Sequence, residues 1–190
     1  MNKVLVITGA TGTGKTTVQD YLVKNYPVTK IVTHTTRPPR QGEVDGVDYY
    51  FEDEVSFQQK HYLESGVYAG YHYGSSREGI AAGFERAPFA AIVLDTKGAI
   101  TYAQELGDQA VIIFLTVSDS EQLAGRLSQR GDDKSMMAQR LASPEYRRDL
   151  KMPLALKGRA VQLNNDHWQQ TQLKLDALMT TLEQDQAGDS

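Results

Sequence analysis

The chain has 190 residues, 40% hydrophobic and 23% charged, the make-up of an ordinary globular protein long enough to bury a core as one domain. Its formal net charge is −4 and its isoelectric point about 5.6, so bulk charge draws it neither to nucleic acid nor to an anionic membrane, and any polyanion must be held by local arginines. Cysteine is absent, which excludes disulfides, thiolate metal sites and a cysteine nucleophile. With no apolar run of spanning length and an N-terminal apolar stretch too short for a signal segment, the expectation is a cytoplasmic protein, monomeric or homodimeric.

Lys3–Thr8 is a β-branched apolar run of the kind buried on both faces of a parallel sheet. A helix is predicted from Lys15 to about Tyr26, closed by Pro27, and a brief strand over 30–33. Residues 34–48 carry two prolines, two glycines and two arginines and read as an ordered loop. Tyr49–Phe51 is a predicted strand, a helix is expected from Asp53 and Glu54 to about Leu63, and 67–73 suits an antiparallel partner for Tyr49–Phe51. Ser76 is placed to cap a short helix ending before Pro88. Strands are then expected at 89–94, Ala110–Thr116 and 160–163. The predicted helices here run over 97–106, from a capping box at Ser118 to Arg130, and from Asp166, with a polar tail fraying after about Gln184. Alternation of strands and helices argues for an α/β fold, a parallel sheet covered by helices on both faces. His34, His61, His72 and His167 lack metal-ligand spacing and read as surface or loop histidines.

Between the first strand and helix stand Gly9, Ala10, Thr11, Gly12, Thr13, Gly14, Lys15 and Thr16, the G-x-x-x-x-G-K-[ST] pattern of a phosphate-binding P-loop. Glycines let successive N–H groups turn toward a polyphosphate, and the helix N-terminus, with Thr17 next in line, adds its dipole. Lys15 can reach the β and γ phosphates of a bound nucleotide and the Thr16 hydroxyl can ligate Mg²⁺, which leaves the reaction open. The second constellation is Thr33-His34-Thr35-Thr36-Arg37-Pro38-Pro39-Arg40-Gln41-Gly42-Glu43, continuing to Tyr49-Tyr50-Phe51. Arg37 and Arg40 flank a stiff Pro-Pro and can present their guanidinium forks together to a phosphate monoester, with Tyr49 as a third donor.

This stretch resembles the guanylate kinases, whose pattern S-x-T-T-R-x-P-R-x-G-E-x-x-G-x-D-Y-x-F it follows, and the resemblance runs in order over nearly the whole chain. It implies a P-loop kinase fold over 1–190, with a core at about 1–33, 89–125 and 149–190, a small mixed NMP-binding subdomain at about 34–88 and a helical lid at about 126–148. Carried over residue by residue, it implies acceptor-phosphate contacts at Arg37, Arg40, Tyr49 and Tyr73. The guanine-reading carboxylate falls on Glu64, base-contacting hydroxyls on Ser75 and Thr33, and Asp95 joins the GMP-binding set. Lid arginines fall on Arg126, Arg130 and Arg140, and an adenine-side asparagine on Asn164. A carboxylate accepts both N1–H and the 2-amino group of guanine, an arrangement adenine does not offer, and such a site can discriminate by roughly 10⁴-fold.

The implied reaction passes the γ-phosphoryl of ATP to GMP or dGMP. The chain departs from the family pattern after Asp95, where Thr96-Lys97-Gly98 follows and two residues and a second aspartate are missing. Ser65 stands where a tryptophan is common, and the segment between Arg130 and Arg140 is one residue short. A P-loop kinase with another monophosphate or a sugar phosphate as acceptor, and a non-catalytic binding module of the same fold, are the rival readings.

Overall fold

The structure, a computed structural model, describes residues 1–39, 42–68, 70–118 and 141–188. Five strands form one all-parallel sheet: β1 (Lys3–Thr8), β2 (Val28–Lys30), β7 (Phe89–Val93), β8 (Ala110–Thr116) and β9 (Ala160–Asn164), in the order β2-β7-β1-β8-β9. Alternation along β1 sends Leu5 and Ile7 to one face and Val4 and Val6 to the other, all with no exposed surface. On the first face lie α1 (Lys15–Asn25), through Val18 and Leu22, and α6 (Trp168–Gly188), through Leu175, Met179 and Leu182. On the second lie α3 (Arg77–Phe84), through Ile80, and α4 (Thr96–Leu106), through Ala99, Tyr102 and Ala103. Each buried aliphatic contributes about 1.5–3 kcal/mol, so two covered faces make this sheet the stable base of the molecule. No helix among the described residues is long and apolar enough to cross a membrane.

A second, four-stranded sheet stands beside the first, in the order β4-β3-β6-β5, built from β3 (Thr33–Thr35), β4 (Tyr49–Phe51), β5 (Tyr62–Tyr68) and β6 (Tyr71–Ser76). Here the structure corrects several expectations. The single strand foreseen at 30–33 is two, because the chain changes sheets at Ile31 and Val32: Ile31 is buried and its N–H donates to Ala91 O of the first sheet, whereas Thr33 pairs with Tyr49 of the second. Tyr49–Phe51 pairs in parallel with β3, not antiparallel with 67–73, and that latter stretch is the tip of a hairpin between β5 and β6, turning at Gly70.

The helix expected to reach Leu63 stops at Gln58 as α2 (Glu54–Gln58). Asp53 caps it through a reciprocal box with Ser56, but pairing of β5 with β6 and the stacking of Tyr62 on Phe57 claim the following residues, a tertiary override of local propensity. Ser76 does cap α3, accepting from Gly79 N–H. The C-terminal helix does not stop near Gln184. It continues to Gly188, anchored by Leu182 in the core and by Gln186, which donates to Met1 O. The helix expected between the Ser118 capping box and Arg130, and most of the segment at 126–148, lie outside the described residues; within 141–148 the helix α5 (Pro144–Asp149) begins, capped by Ser143.

Candidate functional site

The loop between β1 and α1 takes its shape from glycines. Gly9 has φ +125°, and a Cβ there would lie 2.3 Å from the backbone oxygen of Leu115 on the neighbouring strand. Gly14, the residue before α1, is left-handed at φ +94°, and a Cβ would meet the Asn165 side-chain nitrogen at 2.5 Å. Inside the turn, Thr13 is buried and its hydroxyl donates to Ala10 O at 2.8 Å. Lys15 Nζ donates to the carbonyls of Gly9 and Ala10 at 2.7 and 2.9 Å, which holds the ammonium over the loop. Asn165 Nδ2 donates to Thr13 O at 2.7 Å while its Oδ1 accepts from Thr171, so the start of α6 props the loop from behind.

The loop opens onto a cavity of about 450 Å³. Thr11, Gly12, Gly14, Lys15 and Thr16 line one end; Thr33, Tyr49, Glu64, Gly66 and Tyr73 of the second sheet line the other. Asp95, at the end of β7, and Ser143, Glu145, Tyr146 and Asp149 around α5 complete the wall. The P-loop at 9–16 and the second stretch at 33–51, through Thr33 and Tyr49, therefore share one space, together with Glu64 and Tyr73. Of the described site residues, Gly9, Ala10, Thr13, Thr17, Arg37, Ser75 and Asn164 do not line it.

Arg37 sits behind Tyr49, its guanidinium 5.4 Å from the Tyr49 ring centre, and its Nη2 donates to both carboxylate oxygens of Glu43 at 2.8 and 2.9 Å. Burial alone would lower its pKa, but the Glu43 carboxylate outweighs that and the value is raised, so the charge is kept. Ser75 is fully buried, and its hydroxyl accepts from that of Tyr102 at 2.8 Å. Asn164 turns away and donates to Ser118 Oγ, while its neighbour Asn165 faces the loop. Arg40, Arg126, Arg130 and Arg140 lie outside the described residues.

Glu64 is the electrostatic outlier of the cavity. Burial first, then repulsion from Asp95, raises its carboxyl from 4.5 to about 7, against a smaller opposing pull from Lys97. Gly98 in the first turn of α4 lies close beneath it: a Cβ there would sit 3.3 Å from the Glu64 carboxyl carbon. Asp95 caps α4 by accepting from Gly98 N–H and also pairs with Arg148 at 2.7 Å. Arg148 reaches Asp149 at 2.8 Å as well, and Asp149 accepts from the Thr96 hydroxyl. Burial would lower the Arg148 pKa, but Asp149 and Asp95 raise it. This cluster ties α5 to the end of β7.

Sequence reasoning missed Asn165, Glu43, Arg148, Asp149 and Tyr102. Glu43 was within the quoted stretch and had a signal, a carboxylate six residues from a buried arginine. The others meet their partners at the loop and cavity, Thr13, Ser75, Asp95 and Thr96, across 27 to 152 positions of chain. His34, read as a surface or loop residue, is 5% exposed and bonded through both ring nitrogens.

Comparison with known proteins follows the same line. The family model of guanylate kinase matches residues 1–179. A guanylate kinase of Neisseria meningitidis is 37% identical over 149 residues, covering 74% of this chain and 70% of the relative. One of Thermus thermophilus is 35% identical over 149 residues, covering 76% and 67%. The crystal structure of guanylate kinase from Anaplasma phagocytophilum superposes with a TM-score of 0.68 at 21% identity, covering 95% of this chain and 85% of that one, a likeness of fold.

Proposed function

The chain belongs to the guanylate kinase family, and from that premise we propose that it transfers the γ-phosphoryl group of ATP to GMP or dGMP, giving ADP and the guanine nucleoside diphosphate. One observation carries the reading. A single cavity joins a P-loop to a second sheet bearing Thr33, Tyr49, Glu64 and Tyr73, room for a donor phosphate and an acceptor in line.

An acceptor phosphate oxygen bonds to the γ-phosphorus as the bond to the β–γ bridging oxygen breaks, and the electron pair leaves with ADP. That oxygen is already ionised at neutral pH, so no general base is required, and positioning and charge neutralisation do the work. The P-loop amides and Lys15 hold the donor. Tyr49 and Tyr73 hold the acceptor phosphate, with Arg37 behind Tyr49 and Arg40 three residues on. Arg126, Arg130 and Arg140 supply charge on the transferring group. Glu64, once ionised, accepts N1–H and the 2-amino group of guanine, with Ser75 and Asp95 near the base. Asn164 is the adenine-side residue of this scheme.

At the loop end the Thr16 hydroxyl is a hard oxygen ligand that suits Mg²⁺. Among the described residues no three acidic or histidine side chains form a metal cage of their own, in keeping with an ion held partly by substrate phosphates and water. When bound, Mg²⁺ neutralises charge on the β and γ phosphates.

A second reading of the acceptor has its own observation. β7 passes into α4 with only Leu94 and Asp95 between them, which sets Gly98 directly under Glu64. Steady-state rates with ATP·Mg²⁺ and GMP, dGMP, AMP, CMP or UMP decide between them. Preference for guanine nucleotides is expected; preference for another acceptor would overturn the assignment, and GMP binding without turnover would make the protein a binding module.

A further inference from the structure

The second sheet is held together by very short strands: β3 shares three residue pairs with β4 and two with β6. Ladder hydrogen bonds alone give little control over the spacing of β4, which carries Tyr49, and β6, which carries Tyr73. On the face away from the cavity, one side chain spans all three strands. His34, on the central β3, alternates with Thr33 and points to the back of the sheet. Its Nδ1 lies 2.7 Å from Glu52 Oε1, the residue after β4, and its Nε2 lies 2.9 Å from Ser76 Oγ, the last residue of β6.

A carboxylate only accepts, so Nδ1 donates to Glu52; Nε2 shares a second hydrogen bond with Ser76 Oγ, which also accepts from Gly79 N–H at 3.0 Å. This serine–histidine–acid connectivity is that of a hydrolase triad, but Ser76 is 1% and His34 5% exposed, and neither lines the cavity. No substrate reaches the hydroxyl.

Rings seal the relay. Tyr50 stacks on His34 at 4.8 Å, Tyr62 meets it edge-on at 5.7 Å, and Phe57 stacks on Tyr62 at 4.4 Å. Tyr62 also seats on the backbone of Gly74, where a Cβ would lie 2.5 Å from the ring. On the front of the same strands the rings of Tyr49 and Tyr73 stand 6.1 Å apart at 70°. We propose that His34, bridging Glu52 and Ser76, is a positioning residue that sets the distance between Tyr49 and Tyr73 and thereby the grip on the acceptor phosphate. The part concerning the acceptor rests on the kinase reading above.

The test uses the full chain with His34→Phe, which keeps a ring between Tyr50 and Tyr62 but loses both hydrogen bonds, and His34→Asn, which keeps an N–H for Glu52. Three quantities are measured: kcat/KM for GMP, equilibrium affinity for ATP, and the NMR cross-relaxation between the Tyr49 and Tyr73 rings. His34→Phe is expected to lose the ring contact and to lower kcat/KM for GMP by about 10²-fold, chiefly through KM, with ATP affinity unchanged. His34→Asn recovers part of both losses. A residue that merely supports the fold would lower the melting temperature while leaving kcat/KM per folded molecule and the ring contact intact, and that result overturns the proposal. So does equal damage from the two variants. If the wild-type protein fails to phosphorylate GMP, the kinase reading falls, and the ring contact still decides the role of His34.

Discussion

Glu64→Gln separates the two consequences of placing a carboxyl in the cavity wall. In the folded protein this group titrates near 7 instead of 4.5, so between those values the folded state holds a proton that the unfolded chain has released. Ionisation therefore costs the folded state stability: the contribution is absent well below pH 4.5 and grows as pH rises, reaching about 3 kcal/mol at pH 8. Glutamine imitates the protonated form and never incurs that cost. Denaturant unfolding can be followed through Trp168, the chain's only tryptophan, which packs against Tyr21 and the core. The variant should be more stable than the wild type by about 1 kcal/mol at pH 5 and about 3 kcal/mol at pH 8. Other carboxylates titrate in both proteins and cancel from the difference. Function moves the opposite way: the amide of glutamine offers a donor where guanine needs an acceptor, and kcat/KM for GMP should fall by about 10⁴-fold. In the wild type, KM for GMP should rise as pH drops below about 7, where Glu64 takes up its proton. A stability difference that does not change between pH 5 and pH 8 would refute the argument, as would undiminished preference of the variant for GMP.

The other predictions concern the loop and the acceptor phosphate. Gly9→Ala meets both a left-handed backbone and the Leu115 carbonyl; a large loss of folded yield and of ATP binding is expected, and a wild-type melting temperature with normal ATP affinity would contradict it. Asn165→Ala strips Thr13 O and the Thr171 hydroxyl of a buried partner, which should cost about 1–3 kcal/mol in denaturant unfolding and raise KM for ATP, whereas Asn164→Ala, at an exposed bond to Ser118, should change stability by no more than about 0.5 kcal/mol. Arg37→Lys keeps the charge but not the planar guanidinium, whose Nη2 reaches both Glu43 oxygens while Nη1 donates to Pro38 O. It should lower kcat/KM for GMP by about 10²-fold with ATP affinity intact, and equal losses for both substrates would argue against an acceptor-side role.

What the sequence determined by itself was local in origin. The P-loop is a covalent spacing of glycines, a lysine and a threonine; β1 and β8 of the main sheet are continuous apolar runs rich in β-branched residues; Ser76 caps its helix through an atom three residues away. Each of these depends on neighbours along the chain, and the threonine–arginine–tyrosine stretch from 33 to 51 carried the family with it. The tertiary structure alone decided which way neighbours point and what surrounds them. Side chains alternate along a strand, so Asn164 and Asn165 reach different partners, as do Thr33 and His34, and no local signal says which faces the loop or the cavity. The partner of Tyr49–Phe51 was misjudged because pairing is chosen by the whole sheet, not by the strand. The high pKa of Glu64 belongs to the same class. It comes from burial and from Asp95, 31 positions along the chain, and a carboxylate acquires such a value only when folding removes its water.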